Sequence, residues 1–232
     1  MTDWFEWNGT RCTAYGIHVT DQPEIMRASE RATFTSVPGR SGSLTTLEGE
    51  DVYDDFILGV ECIIENLNSL DAICGWLRGE GKVAFVNRQG GFYFARIVNQ
   101  ISFEQILRGN PHRSFTVNFR CQPFFYLAGV SDISVTSAGT VVWNPGKVFS
   151  EPVLQVTLTG NAAIVIGATY FELLGVTGTV TVDATLKETY MNYTSRNGNM
   201  SGDYPALLAG NNVVSWTGGV NRIVITPNWR SV

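Results

Sequence analysis

Between Ser114 and Cys121 the chain alternates without a break: Phe115, Val117, Phe119 and Cys121 fall on one side, and Thr116, Asn118 and Arg120 on the other. A period of two with one apolar and one polar face is the pattern of a half-buried antiparallel strand. Such a strand needs partners, and the sequence just before it supplies them. Lys82 to Val86 and Phe92 to Asn99 are β-rich runs separated by Arg88-Gln-Gly-Gly, which predicts a hairpin with its turn at those residues. One helix interrupts the strands. Leu70, Ile73, Cys74 and Leu77 recur at i, i+3, i+4 and i+7, Asn68 or Ser69 is positioned as an N-cap, and Gly79 as a stop.

The second half has no helical period. It consists of short runs rich in Val, Ile, Thr and Tyr, punctuated by Gly, Asn and Pro. Seven strands are expected at 152–159, 163–167, 169–174, 179–183, 188–193, 213–216 and 222–226, the number and spacing of an antiparallel β-sandwich. The polar stretch from Thr194 to Asp203 is expected to be irregular. The predicted class is therefore mainly β: an α+β first domain over 1–128 and a β-sandwich over 129–232. Charge supports the division, because residues 1–129 carry 15 acids and 11 bases while 130–232 carry 6 and 5. The Ser131–Thr140 run between them reads as a connection.

Composition excludes several kinds of chemistry. With 16 Lys+Arg against 21 Asp+Glu the net charge is −5, which disfavours a general nucleic-acid binder. Only 16% of residues are charged against 44% hydrophobic, so the chain folds rather than staying disordered. His18 and His112 are the two histidines and stand far apart in sequence, so neither a multi-histidine metal site nor a Ser-His-Asp triad is expected. Cys12, Cys62, Cys74 and Cys121 form no C-x-x-C pair and read as free, mostly buried thiols of a protein made in a reducing cytoplasm. Neither an export signal nor an apolar run of membrane-spanning length is visible. No catalytic residue, metal or cofactor is assigned, and the chain is read as a non-enzyme.

Several clusters invite a sharper reading. Glu48, Glu50, Asp51, Asp54 and Asp55 form the densest acidic run, but it lacks the spacing of a calcium loop and reads as a solvated loop or an intersubunit contact. Asp183, Glu188 and Asp203 are carboxylates that a glycosidase could pair, though any sandwich offers such pairs by chance. Pro38-Gly-Arg-Ser-Gly-Ser has two glycines and an arginine but lacks the Lys-Ser/Thr ending of a phosphate loop, so a turn or extended arm is the better reading. Tyr193 and Trp216 are aromatic candidates for stacking on sugar rings, the alternative function being a carbohydrate-binding sandwich that contacts a host cell wall. Arginine outnumbers lysine 13 to 3, as suits protein–protein interfaces.

Taken in order, these motifs resemble a known family. Phe5-Glu-Trp-Asn-Gly, Tyr15-Gly-Ile, Val37-Pro-Gly-Arg-Ser-Gly-Ser-Leu, Tyr53-Asp-Asp-Phe and Ile73-Cys-Gly-Trp-Leu-Arg-Gly lead to the strand Phe115-Thr-Val-Asn-Phe-Arg-Cys-Gln-Pro-Phe-Phe-Tyr. Asn144-Pro-Gly, Ser150-Glu-Pro, Asp183, Tyr204-Pro-Ala-Leu, Gly210-Asn-Asn and Pro227-Asn-Trp-Arg follow. This succession is similar to that of the distal tail proteins of siphophages. The resemblance implies a hexameric ring of N-terminal domains in the baseplate hub at the virion tail tip, with galectin-like C-terminal domains projecting outward. It also implies as partners further copies of the chain, the tail-tube and tape-measure proteins, a tail-associated adhesin or lysin and receptor-binding proteins, with DNA only passing through the lumen. On that reading Pro38, Gly39, Arg40 and Gly42 of the arm, and Arg88, Gly90 and Gly91 of the hairpin, are candidates to reach adjacent subunits. Glu48, Glu50, Asp51, Asp54 and Asp55 are candidates to line the lumen.

Overall fold

The computed structural model describes residues 3–49, 51–65 and 68–232, and contacts divide the chain into a unit that ends at Ala128 and a second over Gly129–Ser231. In the first unit the strands are β1 (Phe5–Trp7), β2 (Thr10–Arg11), β3 (Ile17–Asp21), β4 (Ala32–Ser36), β5 (Ser43–Leu47), β6 (Phe56–Ile64), β7 (Glu80–Phe85), β8 (Arg88–Ile97), β9 (Glu104–Gln105) and β10 (Arg113–Leu127). Among the described residues one α-helix, α1, spans Leu70–Trp76. The main sheet runs β2-β1-β7-β8-β10-β6-β3, with β9 pairing the start of β10, while β4 and β5 pair only with each other.

The alternating stretch lies within β10 and behaves as its period predicts: Phe115, Val117, Phe119 and Cys121 are buried. Leu58, Val60, Cys62 and Ile64 of the paired β6 bury the same face. Phe119 is the centre of an aromatic cluster, with ring centroids 5.5 Å from Phe5, 5.4 Å from Trp7 and 5.9 Å from Phe85. The helix docks on this cluster by its last residue. Trp76 stacks between Phe5 and Tyr15, and its indole Nε1 donates to the Trp7 carbonyl at 3.2 Å. Ile73 and Leu77 are buried as the helical period requires. Cys74 departs from the expected face and is exposed, because a helix of seven residues seated on Trp76 and Ile73 presents only a narrow apolar edge.

The hairpin between β7 and β8 is present, but its turn is the pair Val86-Asn87, with Phe85 opposite Arg88. Arg88-Gln-Gly-Gly is the beginning of β8 rather than the turn. Gly91 serves a close approach, since a Cβ there would lie 2.2 Å from the Tyr126 carbonyl oxygen and 2.6 Å from the Phe125 ring, whereas Gly90 supplies a φ of +87°. Beside it, β10 shifts register between Cys121 and Phe125. Pro123 falls within that shift, where a residue unable to donate to the ladder is tolerated.

In the second unit the strands are β11 (Ile133–Val135), β12 (Thr140–Asn144), β13 (Val153–Ile166), β14 (Thr169–Leu173), β15 (Gly178–Asp183), β16 (Glu188–Met191), β17 (Thr194–Ser195), β18 (Met200–Gly202), β19 (Gly210–Thr226) and β20 (Arg230–Ser231). Four of the seven expected strands are halves of two long ones. β13 pairs along its whole length with Val214–Thr226 of β19, and the register slips between Thr157 and Ala162. Below the slip β13 is flanked by β15, above it by β14. Leu154, Val156 and Leu158 on one side of the slip, and Ala162, Ile164 and Ile166 on the other, are all buried. Gly218 supplies the bend, with φ of +90° and an Asn161 carbonyl oxygen 2.3 Å from where a Cβ would stand.

Two stretches expected to be irregular are ordered. Ser131–Thr140 contains β11, which pairs with Ile223–Ile225 of β19; its small polar composition hid three residues whose alternate side chains pack inward. Thr194–Asp203 holds β17, a 3₁₀ turn at Asn197–Asn199 and β18. The motif asparagines have structural work. Buried Asn144 donates to the Leu207 and Val148 carbonyls at 2.9 and 3.2 Å and accepts from the Gly146 N–H at 2.8 Å. Buried Asn212 likewise accepts from the Leu208 N–H and donates to the Leu208 and Gly210 carbonyls.

Phe119→Ala removes a ring that three others contact, and the first unit is expected to lose about 3–5 kcal/mol of stability. Denaturant unfolding followed by tryptophan fluorescence measures this, with Val141→Ala, an exposed strand position, as the near-neutral comparison.

Candidate functional site

The feature of the first unit that lacks a local structural purpose is the β4–β5 hairpin. Phe34 stands opposite Thr45, Thr35 opposite Leu44 and Ala32 opposite Leu47. Phe34 is 69% exposed, Leu44 46% and Leu47 56%. An isolated two-stranded hairpin is marginal in water, and one that displays a phenylalanine and two leucines gains by being covered. Its tip holds Pro38, Gly39, Arg40 and Gly42, all exposed, with the Arg40 N–H donating to the Val37 carbonyl at 3.1 Å. Its base is fastened by backbone bonds from Arg31 to Val52 and from Glu48 to Arg31, and by an Arg31–Asp54 ion pair at 2.8 Å.

The acidic run is less negative than its composition implies. Asp54 is held by Arg31, and Asp55 accepts from both Nε and Nη2 of Arg120, which holds its carboxyl below the ordinary aspartate range. Asp51 accepts from the Tyr53 hydroxyl at 3.1 Å, and Glu48 from the Thr33 hydroxyl at 3.4 Å. Glu50 lies outside the described residues. At the other candidate interface, Arg88 hydrogen-bonds the Tyr93 hydroxyl and lies 4.2 Å over the Phe125 ring, so its guanidinium has partners within its own unit. Gly90 accepts from the Ala128 N–H at 2.9 Å, and Gly91 is the close approach described above.

The residues nominated for sugar or hydrolytic chemistry are dispersed or otherwise engaged. Tyr193 is fully exposed in the turn between β16 and β17, whereas Trp216 is half-buried on β19 opposite Ile164, three steps away along the sheet path β19-β13-β15-β16. Asp183 Oδ1 accepts from the Thr185 and Leu186 N–H groups at 2.9 and 3.0 Å, which shapes the turn that follows β15. Asp203 is exposed. Burial pushes the Cys121 thiol up to about 12 and raises the Cys12 and Cys62 thiols as well, so all three are kept as unreactive thiols. No helix among the described residues is long and apolar enough to cross a membrane.

The structure also brings together two residues that sequence separation had kept apart. His18 and His112 line one cavity of about 280 Å³ with Thr20, Ile63, Glu65 and Ile106. No spacing motif signals this, because the partners sit on β3, beyond β6 and just ahead of β10.

A thiol reagent is expected to modify one cysteine of the native chain rapidly, Cys74, and all four after denaturation. Cys74→Ser abolishes the fast phase; fast modification of any thiol in that variant would contradict the burial of the others.

No family model matches the sequence, and no curated protein matches it. Among solved structures the chain is similar to the SPP1 Dit (gp 19.1) protein, described as a paradigm of the hub adsorption apparatus in phages that infect Gram-positive bacteria. The two are 17% identical with a TM-score of 0.76, and the match covers 97% of this chain and 98% of that one. The chain thus shares that protein's fold over nearly its whole length.

Proposed function

We propose that this chain is an architectural subunit of a phage tail hub, located at the virion tail tip, rather than an enzyme. The observation that carries the reading is the end-to-end likeness in fold to a hub adsorption protein. In this reading six first units close a ring on the last ring of the tail tube, and the second units, as galectin-like sandwiches, face outward. The tape-measure protein, an adhesin or lysin and receptor-binding proteins are the remaining partners. DNA passes through the lumen, and the subunits assemble in the cytoplasm of the bacterial host.

The β4–β5 hairpin supports ring formation. In a cyclic assembly each subunit presents one surface and receives another, and a projecting hairpin with exposed Phe34, Leu44 and Leu47 is suited to be received by a neighbour. We assign Pro38, Gly39, Arg40 and Gly42 to the tip that reaches the adjacent subunit. Arg88, Gly90 and Gly91 are assigned a lesser part, since their side chains or backbones already have partners. The acidic residues near the hairpin base remain the proposed lumen charge, reduced by Arg31 and Arg120.

Light scattering of the purified chain is expected to give about 150 kDa, six copies of 25.5 kDa. Phe34→Asp combined with Leu44→Asp is expected to shift the mass toward one subunit without loss of the cooperative unfolding transition. Arg40→Glu acts in the same direction more weakly. A monomeric mass for the parent at all concentrations, or a variant that keeps the parent's assembled mass, argues against the arm.

A further inference from the structure

We propose that the groove lined by Glu61 and Glu104, on the outer face of the first unit's main sheet, receives the β4–β5 arm of a second copy of this chain, with Arg40 seated between the two carboxylates. The inference rests on the hub reading for the arm and adds the surface that receives it. At its start β10 runs between β6 and β9: Thr116 stands opposite Glu61, and Ser114 opposite Ile63 on one side and Glu104 on the other. Phe115 and Val117 point into the core, so Ser114 and Thr116, and with them Glu61, Ile63 and Glu104, face outward. Strands about 4.8 Å apart, rising about 3.4 Å per residue, separate the two glutamate backbones by roughly 12 Å. Both residues line one cavity of about 580 Å³.

Charge selects this groove and its occupant. The lining holds two carboxylates and no basic side chain, and among the described residues neither Glu61 nor Glu104 has an ion pair. A second cavity, lined in part by Asp55, Glu80, Arg96 and Arg120, has its charges already matched, because Arg120 holds Asp55 and Arg96 lies 3.7 Å from Glu80. Arg40 is exposed at the arm tip, and its guanidinium is likewise without a partner among the described residues. Its planar fork of five donors suits two carboxylates flanked by the Ser114 and Thr116 hydroxyls. The groove continues into apolar ground: Ile63 and Ile106 also line the adjoining cavity of about 280 Å³. Leu44 follows Arg40 by four residues, no more than about 13 Å of strand, and so reaches those isoleucines. Arm and groove occupy opposite ends of β6. Asp54, which fastens the arm, precedes the strand, whereas Glu61 and Ile63 lie toward its far end, more than about 20 Å along. No arm residue lines the groove of its own chain. Two complementary surfaces that do not overlap are what a head-to-tail contact requires.

The test is disulfide trapping between two forms of the full chain in a Cys74→Ser background, one carrying Arg40→Cys and the other Thr116→Cys. Mixed with oxidised glutathione, they are expected to give a reducible two-chain product at least tenfold above either form alone, with peptide mapping joining positions 40 and 116. In light scattering, Glu61→Arg with Glu104→Arg should weaken self-association at least tenfold, and addition of Arg40→Glu should restore most of it. An unchanged unfolding midpoint guards against a folding defect. An assembled parent that yields no such link, or that keeps its affinity after the double reversal, overturns the groove and leaves the ring reading standing. A monomeric parent that yields no link overturns both. A link from a monomeric parent supports the groove contact and counts against a closed ring in solution.

Discussion

Long strands that bury one face over more residues than a single layer can hold must interrupt their own pairing, and both units are organised around that constraint. In the first unit β10 runs for 15 residues and shifts register between Cys121 and Phe125, at Pro123. In the second, the 14 residues of β13 remain paired with Val214–Thr226 of β19 only by slipping near Thr157–Ala162 and bending at Gly218. The burial of Leu154 and Val156 on one side of that slip and of Ile164 and Ile166 on the other requires that each half be covered. A straight pair of this length would leave one end's apolar side chains in water, and at roughly 25 cal/mol per Å² of apolar surface that cost is decisive.

The positions that absorb these interruptions are also where the sequence motifs lie. Gly91 lets β8 pass the Tyr126 backbone, and Asn144 and Asn212 hydrogen-bond backbone carbonyls and N–H groups in the turns beside the second unit's sheet. Their roles are those of joints. A buried unsatisfied amide costs about 1–3 kcal/mol, which explains asparagines in an otherwise apolar interior without recourse to a ligand. The arginines act similarly at the surface: Arg31 and Arg120 neutralise Asp54 and Asp55, so an acidic run that reads as an open field of charge is partly a set of ion pairs.

The exposed hairpin and the two-histidine cavity are different kinds of surface. The β4–β5 hairpin is held by the first unit at its base only and exposes apolar side chains on strands that have no other partner. The cavity lined by His18, Glu65 and His112 instead lies at the main sheet, with His18 on β3 and the other two at the adjoining ends of β6 and β10. A hairpin gains order from what covers it, whereas a sheet face supplies geometry in advance.

The mainly β class, the strand with Phe115, Val117, Phe119 and Cys121 buried, and a short helix from Leu70 with Ile73 buried were legible in the sequence because period and burial are local consequences of backbone geometry; its end at Trp76 falls short of the Gly79 stop that the sequence suggested. Of the turn or extended arm that the sequence offered around Pro38, the structure shows a turn at the tip of the β4–β5 hairpin, and the flanking strands were not legible. The turn at Val86-Asn87, the strand at Ile133–Val135 and the union of four expected strands into two were decided by tertiary structure. Each depends on what lies opposite: Arg88 is a strand residue because Phe85 of β7 pairs with it, Gly91 because β10 passes beside it, and Ile133 because β19 extends to meet it. The two histidines follow the same rule. Ninety-odd residues of sequence separate His18 from His112, and only the placement of β6 between their strands puts both beside Glu65, because strand adjacency is a property of the folded sheet and not of any segment within it.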